Sequence, residues 1–353
     1  MLTGPVEVVG TGLLGTSVAL ACRRAGLEVL LSDISPEHVR TASGLGAGRA
    51  RVYSDRPQLV VVAVPPDHLA EAVLAALRDG DAVVTDVGSV KELPHRAVVA
   101  NAPDLAGRYA GGHPMAGSER SGPLAASANL FDGRPWAVTP HEGSSEEAVA
   151  LVEELAGLCG AVAVRLTPRD HDEAVARISH LPHLLAALVA SRLAEAPAEH
   201  LTLAGQGVRD VTRVAASDPA MWQQIVGANA EAVAALLEEV RGELEAMIDA
   251  VRTGGRDELG RLLERGVAGT RAIPGKHGGP LAPTRSVYVS VPDHPGELAR
   301  LFADAGESDV NIEDVHIDHD PGRPVGLVEL LVAESRAEHL LASLESRGWV
   351  THR

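Results

Sequence analysis

Val6-Glu7-Val8-Val9-Gly10-Thr11-Gly12-Leu13-Leu14-Gly15-Thr16-Ser17 reads as a short β-strand, a glycine turn and the opening of a helix. The spacing Gly10-x-Gly12-x-x-Gly15 gives each glycine a task. Gly10 permits the tight turn, Gly12 lets the backbone approach a pyrophosphate, and Gly15 lets helix and strand pack closely. The helix N-terminus behind the turn offers N–H donors and a favourable dipole end to phosphates. Asp33 follows Gly15 by eighteen residues, at the end of the second strand. There it would accept hydrogen bonds from adenosine ribose hydroxyls and repel a 2′-phosphate. Gly10, Thr11, Gly12, Leu13, Leu14, Gly15 and Asp33 are therefore expected to hold a dinucleotide, NAD in preference to NADP, with Ser32 and Arg40 as the neighbours that bear on the choice. A structural turn without a ligand does not account for strand, helix and acid together.

Outward from this turn, short β-branched runs alternate with alanine-rich runs to about residue 166. Val6–Val9, Val29–Ser32, Leu59–Val64, Ala82–Thr85, Trp136–Thr139 and Ala161–Leu166 read as strands. Thr16–Arg24, His68–Arg78 and Glu146–Leu158 read as helices. The alternation predicts an α/β fold, a Rossmann-type doubly wound parallel sheet covered on both faces, over residues 1–166. Strand signals then vanish, and residues 167–275 read as an all-helical domain. Val233, Leu236, Leu237, Val240, Leu244, Met247, Ile248 and Val251 form one apolar stripe there, which suits either burial or a subunit contact. Residues 276–283, rich in Gly and Pro, read as a linker. Residues 284–353 follow a βαββαβ order, the ferredoxin-like pattern.

The chain has 353 residues, enough for two or three cores, and its aromatic content of 2% makes those cores Ala, Val and Leu. A net charge of −17 argues against nucleic acid, which requires clustered Lys and Arg, yet leaves room for a locally basic pocket. Cys22 and Cys159 are too few for a disulfide framework and suggest a reducing compartment. The N-terminus runs directly into a strand without a basic and apolar leader. Leu59–Pro66 is strand-length and Leu184–Ala194 carries Arg192, so neither is read as a membrane span. A cytoplasmic protein with no membrane partner is expected.

Chemistry enters with Thr85-Asp86-Val87-Gly88-Ser89-Val90-Lys91 and Gly112-His113-Pro114-Met115-Ala116-Gly117-Ser118-Glu119. Carboxyl ends of strands line the ligand crevice of a doubly wound sheet, so Ser89 is expected near the nicotinamide, and His113 in its glycine-rich loop within reach of the same point. Removing hydride from an alcohol requires an acceptor for the hydroxyl proton, and a neutral imidazole suits that role. Ser89 would orient the imidazole or bond the substrate hydroxyl. His171, His180 and His183, with Asp170 and Asp172 nearby, invite a metal reading. Their spacing fits no zinc pattern and Pro182 is expected to interrupt the helix between the last two, so no metal is assigned. Lys91 reads as a solvated lysine, and Trp222 and Met221 as core.

Gly10–Ser17, Asp86–Lys91, Gly112–Glu119, Ser179-His180-Leu181-Pro182-His183 and Asp210-Val211-Thr212-Arg213 through Ser217-Asp218-Pro219-Ala220-Met221-Trp222 together resemble the prephenate dehydrogenase family, in order over residues 5–273. The resemblance implies oxidative decarboxylation of prephenate to 4-hydroxyphenylpyruvate with NAD, in tyrosine biosynthesis. It implies that His113 accepts the ring-hydroxyl proton, that Ser89 supports it, that Arg213 binds a substrate carboxylate, and that His183 and Glu119 complete the pocket. Pro292-Asp293-His294-Pro295-Gly296-Glu297-Leu298 with Val310-Asn311-Ile312 resembles the start of an ACT domain. That implies a homodimer regulated by an aromatic amino-acid effector, tyrosine, near Asp293, Gly296 and Asn311, or a domain that only dimerises. The other readings are the same chemistry on arogenate, an amino-deoxy analogue of prephenate as substrate, a non-catalytic amino-acid sensor, and a general β-hydroxyacid dehydrogenase.

Overall fold

The computed structural model describes residues 1–117, 120–273, 283–319 and 325–352. They form two compact units, Met1–Gly242 and Glu243–Arg353.

The first unit opens with β1 (Val6–Val9), α1 (Leu13–Arg24), β2 (Val29–Ser32), α2 (Pro36–Gly44), β3 (Arg49–Ala50), β4 (Leu59–Val62), α3 (Pro66–Asp79) and β5 (Val83–Asp86). These strands make a parallel sheet in the order β3-β2-β1-β4-β5. Every residue of β4 and β5 is buried, as expected of strands covered on both faces. Each buried Val or Leu contributes roughly 1.5–3 kcal/mol of transfer free energy.

After α4 (Glu92–Asn101) come β6 (Gly111–Pro114), β7 (Pro135–Thr139), α5 (Glu146–Leu158) and β8 (Val162–Arg165). β6 runs antiparallel to β7, and β7 parallel to β8, so the domain is not wholly parallel as its sequence suggests. His113 accordingly lies on strand β6, opposite Ala137, and not in a loop. Glycines at positions 111 and 112 hide this strand from propensity, because what places it is pairing with Trp136–Thr139.

Helices follow: α6 (Pro168–Val175), α7 (Leu181–Ala194), α8 (Ala198–Leu201), α9 (Gln206–Thr212), α10 (Pro219–Ala228) and α11 (Ala230–Thr253), the last crossing from the first unit into the second. Pro182 does not interrupt the path from α6 to α7. A π-turn over Ala176–His180 precedes it, and Pro182 falls in the first turn of α7, where its missing N–H has no helical partner to lose. The run Pro168–Ala194 is thus 27 residues long, with a mean hydropathy of 1.3 in its most apolar window, enough by length and composition to cross a membrane. The run is longer than the stretch Leu184–Ala194 alone because α6, the π-turn and α7 are continuous. His171, Asp172, His180 and His183 of this run are nonetheless buried against other parts of the first unit, which makes it a site-building helix.

The second unit continues with α12 (Arg256–Ala272). It ends in β9 (Thr284–Pro292), α13 (Glu297–Gly306), β10 (Ile312–His319), β11 (Val325–Ala333), α14 (Glu334–Ser346) and β12 (Val350–His352). The four strands are antiparallel in the order β10-β11-β9-β12. Val287, Val289, Leu301, Leu330, Leu340 and Trp349 anchor this unit's own core. Of the expected linker, residues 276–282 lie outside the described residues.

Candidate active site

The glycine turn has the geometry its spacing demands. Gly10 sits at φ +95°, and a Cβ there would lie 2.4 Å from the Ala63 carbonyl oxygen. A Cβ on Gly15 would lie 1.9 Å from the Gly10 carbonyl oxygen. At Gly12, by contrast, nothing lies within 4 Å of such a Cβ. No side chain caps α1, whose first N–H groups, on Leu13, Leu14 and Gly15, are left to other acceptors. Open space beside an uncapped helix N-terminus fits a pyrophosphate.

Asp33 Oδ2 accepts from the Thr11 N–H at 2.6 Å and the Thr11 hydroxyl at 2.9 Å, while Oδ1 accepts from the Ser35 N–H at 2.8 Å. Burial alone would raise the carboxyl, but these hydrogen bonds outweigh it and hold it below the ordinary aspartate value. A fixed carboxylate beside the turn fits a ribose diol.

The register places the second group of residues at the same edge of the sheet. Val9, Val62 and Asp86 are level across β1, β4 and β5, so Gly10 and Val87 leave the sheet together. Tyr109 bridges Val84 in parallel, which carries His113, four residues on, just beyond the carboxyl end of β5. Ser89 is half-buried on the loop from β5 and makes no hydrogen bond among the described residues. It does not orient His113. His171 does, with its Nε2 2.9 Å from His113 Nδ1. His171 Nδ1 in turn lies 2.8 Å from Asp172 Oδ1. The Asp172 carboxylate is itself fixed by the N–H groups of Lys91 and Glu92 at 2.8 and 2.9 Å.

Beneath these rings lies a charged pair that the sequence reading missed. Lys91 is buried, not solvated. Its Nζ pairs with Asp86 and donates to the Gly112 carbonyl at 2.7 Å. Asp86 Oδ2 accepts from the Tyr109 hydroxyl at 2.8 Å, and Oδ1 from the Gly88 N–H at 2.8 Å. A Thr-Asp at a strand's carboxyl end followed by Lys five residues on was the available signal. Burial, reinforced by the positive charge of Lys91 and the neighbouring rings of His171 and His180, pushes the His113 imidazole well below its ordinary value, so it is neutral at pH 7.

The helical region supplies the rest. His183 is buried on α7, and its ring stacks on Trp222 with centroids 3.5 Å apart and planes 6° apart. Trp222 is therefore a partner of a site candidate as well as core. His180 Nδ1 accepts from Asn229 Nδ2 at 3.2 Å, and Asn229 also donates to the Asp172 carbonyl at 2.8 Å. Arg213 opens a 3₁₀ turn, Arg213–Ala216, that packs against α7. Its guanidinium is exposed and has no ion-pair partner among the described residues. Glu119 lies outside the described residues. No three His, Cys, Asp or Glu side chains among the described residues converge as a metal-holding group. In the second unit Asp293, Gly296 and Asn311 are exposed. Gly296 precedes α13, and Asn311 donates to Glu313 at 2.8 Å.

Comparison with known proteins identifies the family. Residues 18–165 match the family model "Prephenate dehydrogenase, nucleotide-binding domain", and residues 167–265 match "Prephenate dehydrogenase, dimerization domain". The Streptomyces niveus protein named "Probable prephenate dehydrogenase NovF" is 38% identical over 97% of this chain and 98% of its own. The crystal structure of prephenate dehydrogenase from A. aeolicus, in complex with hydroxyphenyl propionate and NAD+, is 30% identical. It superposes with a TM-score of 0.68 over 75% of this chain and 96% of that one. The Synechocystis arogenate dehydrogenase structure is 27% identical, with a TM-score of 0.65 over 75% of this chain and 98% of that one. A nucleotide turn, a neutral histidine at the same sheet edge and matches of this extent lead to one conclusion: the chain belongs to the prephenate dehydrogenase family.

Proposed function

We propose that the protein is an NAD-dependent prephenate dehydrogenase, converting prephenate to 4-hydroxyphenylpyruvate and CO2 in tyrosine biosynthesis. The observation that carries this reading is the placement of the neutral His113 at the sheet edge where the glycine turn and Asp33 form the dinucleotide site. NAD+, when bound by Gly10–Gly15 and Asp33, supplies the hydride acceptor.

The chain's own groups align and stabilise. His113 takes the ring-hydroxyl proton while the carbinol C–H electron pair departs as hydride. The bond to the ring carboxylate then breaks and CO2 leaves; its electrons complete the aromatic ring and pass to the ring oxygen, which recovers the proton held by His113. Ser89, which makes no hydrogen bond among the described residues, is assigned to the substrate hydroxyl. Arg213, exposed and without an ion-pair partner among the described residues, is assigned to a substrate carboxylate, for which its planar fork suits two parallel hydrogen bonds. His183, held flat against Trp222, and Glu119 complete the substrate pocket in this reading. The enzyme works in the cytoplasm as a homodimer through its helical region, whose family model is a dimerization domain. The C-terminal βαββαβ unit is assigned as an ACT-like domain that takes an aromatic amino acid near Asp293, Gly296 and Asn311, supported by its strand order.

NADH formation with NAD+ and, separately, prephenate and arogenate tests the reading. Turnover of prephenate is expected. A preference for arogenate moves the specificity to the side-chain amine and keeps the chemistry, and no turnover with either overturns the assignment. Suppression of turnover by tyrosine is the expected sign of the C-terminal site.

A further inference from the structure

Three side chains stand in line at the centre of the first unit: His113 on β6, His171 on α6 and Asp172 beside it. Their contacts are 2.9 Å between the rings and 2.8 Å from ring to carboxylate. His171 and Asp172 are both buried. This geometry admits one arrangement of protons when both rings are neutral. The Asp172 carboxylate can only accept, so His171 carries its proton on Nδ1. That leaves His171 Nε2 as an acceptor, so His113 must donate from Nδ1 and keep Nε2 bare.

We propose that His171 and Asp172 are positioning residues for catalysis: they lock His113 in the tautomer whose Nε2 can take the substrate proton, and they stabilise the imidazolium that forms. The inference rests on the assignment of His113 as proton acceptor. The same logic operates wherever a carboxylate orients a catalytic imidazole, with a second ring interposed here. Asp172 is well placed as the anchor because two backbone N–H donors at the start of α4 hold its oxygens independently of the histidines. The other charged or titratable groups around the pair are Lys91 and Asp86 from the β5–α4 segment, Tyr109 from the turn before β6, and His180 from the π-turn. Lys91 opposes a second positive charge on His113, so the negative end of the chain is what makes proton uptake tolerable.

His171→Leu removes the acceptor and the link to Asp172. His171→Gln keeps an oxygen that can accept from His113 Nδ1 but cuts the link. The expected result for His171→Leu is a fall in kcat of about 10²- to 10⁴-fold, with the NAD dissociation constant and the prephenate KM changed by less than about threefold. His171→Gln should recover about tenfold or more of that loss. In both variants the acidic limb of the kcat–pH profile should shift, since the ring and the carboxylate behind it that set the proton affinity of His113 are no longer joined to it. A purely structural role would alter KM and NAD affinity and leave that limb in place. Nitrogen-15 spectra of histidine-labelled enzyme with NAD give a readout independent of turnover. His113 should be protonated on Nδ1 in the wild type and divided between tautomers in His171→Leu. An Nε2-protonated His113 in the wild type overturns the proposal even if both variants fail to fold. Undiminished kcat in His171→Leu overturns it equally. Failure of the wild type to oxidise prephenate is a separate result that counts against the activity, while the spectra still decide the tautomer.

Discussion

Lys91 Nζ donates to the carbonyl of Gly112 across 2.7 Å, and thereby ties the loop that follows β5 to the strand that carries His113. The same ammonium pairs with Asp86, and both side chains are wholly buried. Burial lowers the lysine, while Asp86 opposes that shift by contact and charge. The pair is therefore a clamp whose halves depend on each other.

Lys91→Met should expose that dependence. It fills the space but leaves the Asp86 carboxylate buried without its cation, a change that costs about 3–5 kcal/mol. Urea unfolding should show the loss as a lower midpoint at an unchanged slope. A double variant with Asp86→Asn should regain part of it. Equal stability of Lys91→Met and the wild type would show that the clamp is not structural.

The two glycines at the head of α1 should separate folding from binding. At Gly12 a methyl group meets nothing among the described residues, so Gly12→Ala is expected to melt within a few degrees of the wild type while losing most NAD affinity. Gly15→Ala drives a methyl into the Gly10 carbonyl and should lose both stability and binding. Thermal melts alongside NAD titration distinguish the two patterns.

Asp33 is tied to the glycine turn through Thr11 and is the residue proposed to hold the ribose. Asp33→Asn removes the negative charge and keeps one acceptor oxygen, enough for either the Thr11 or the Ser35 N–H but not both. The KM for NAD+ should rise about tenfold, and that for NADP+ should fall, because repulsion of the 2′-phosphate is gone. An unaltered ratio of the two would place the discrimination elsewhere.

Arg213→Lys keeps the charge and loses the planar fork, so prephenate KM should rise about tenfold or more with NAD affinity unchanged. Initial rates over a range of prephenate concentrations check this.

His180 couples stability to pH. Burial lowers its imidazole from the usual 6.5 to about 4. Between those values the unfolded chain binds a proton that the folded chain does not, so stability rises with pH and is lost as pH falls below about 6.5. The contribution approaches roughly 3 kcal/mol at its largest. Protonation would also place a proton on the Nδ1 that accepts from Asn229. Urea unfolding at pH 7 and pH 5 should show the drop, and His180→Asn should flatten it.

The sequence by itself determined what depends on neighbours along the chain. Gly10-x-Gly12-x-x-Gly15 set the turn, because left-handed backbone and a missing Cβ are local requirements. The apolar run Leu59–Val62 set a buried strand, and the run Glu146–Leu158 set a helix, which the structure caps with the Ser145 hydroxyl accepting from the Ala148 N–H at 3.2 Å. The βαββαβ order of the C-terminal unit was legible for the same reason. What only the tertiary structure decided depends on residues far apart in sequence. His113 is on a strand because Trp136–Thr139 pairs with it. Lys91 is buried because Asp86 and the Gly112 carbonyl replace its water. His171 and Asp172, which in sequence suggested only a weak metal site, meet His113 because α6 crosses a sheet edge whose strands end many residues earlier. Periodicity records which side of an element faces inward. It carries no record of which buried polar group will meet which, since that is fixed only when the elements pack and each donor must find an acceptor.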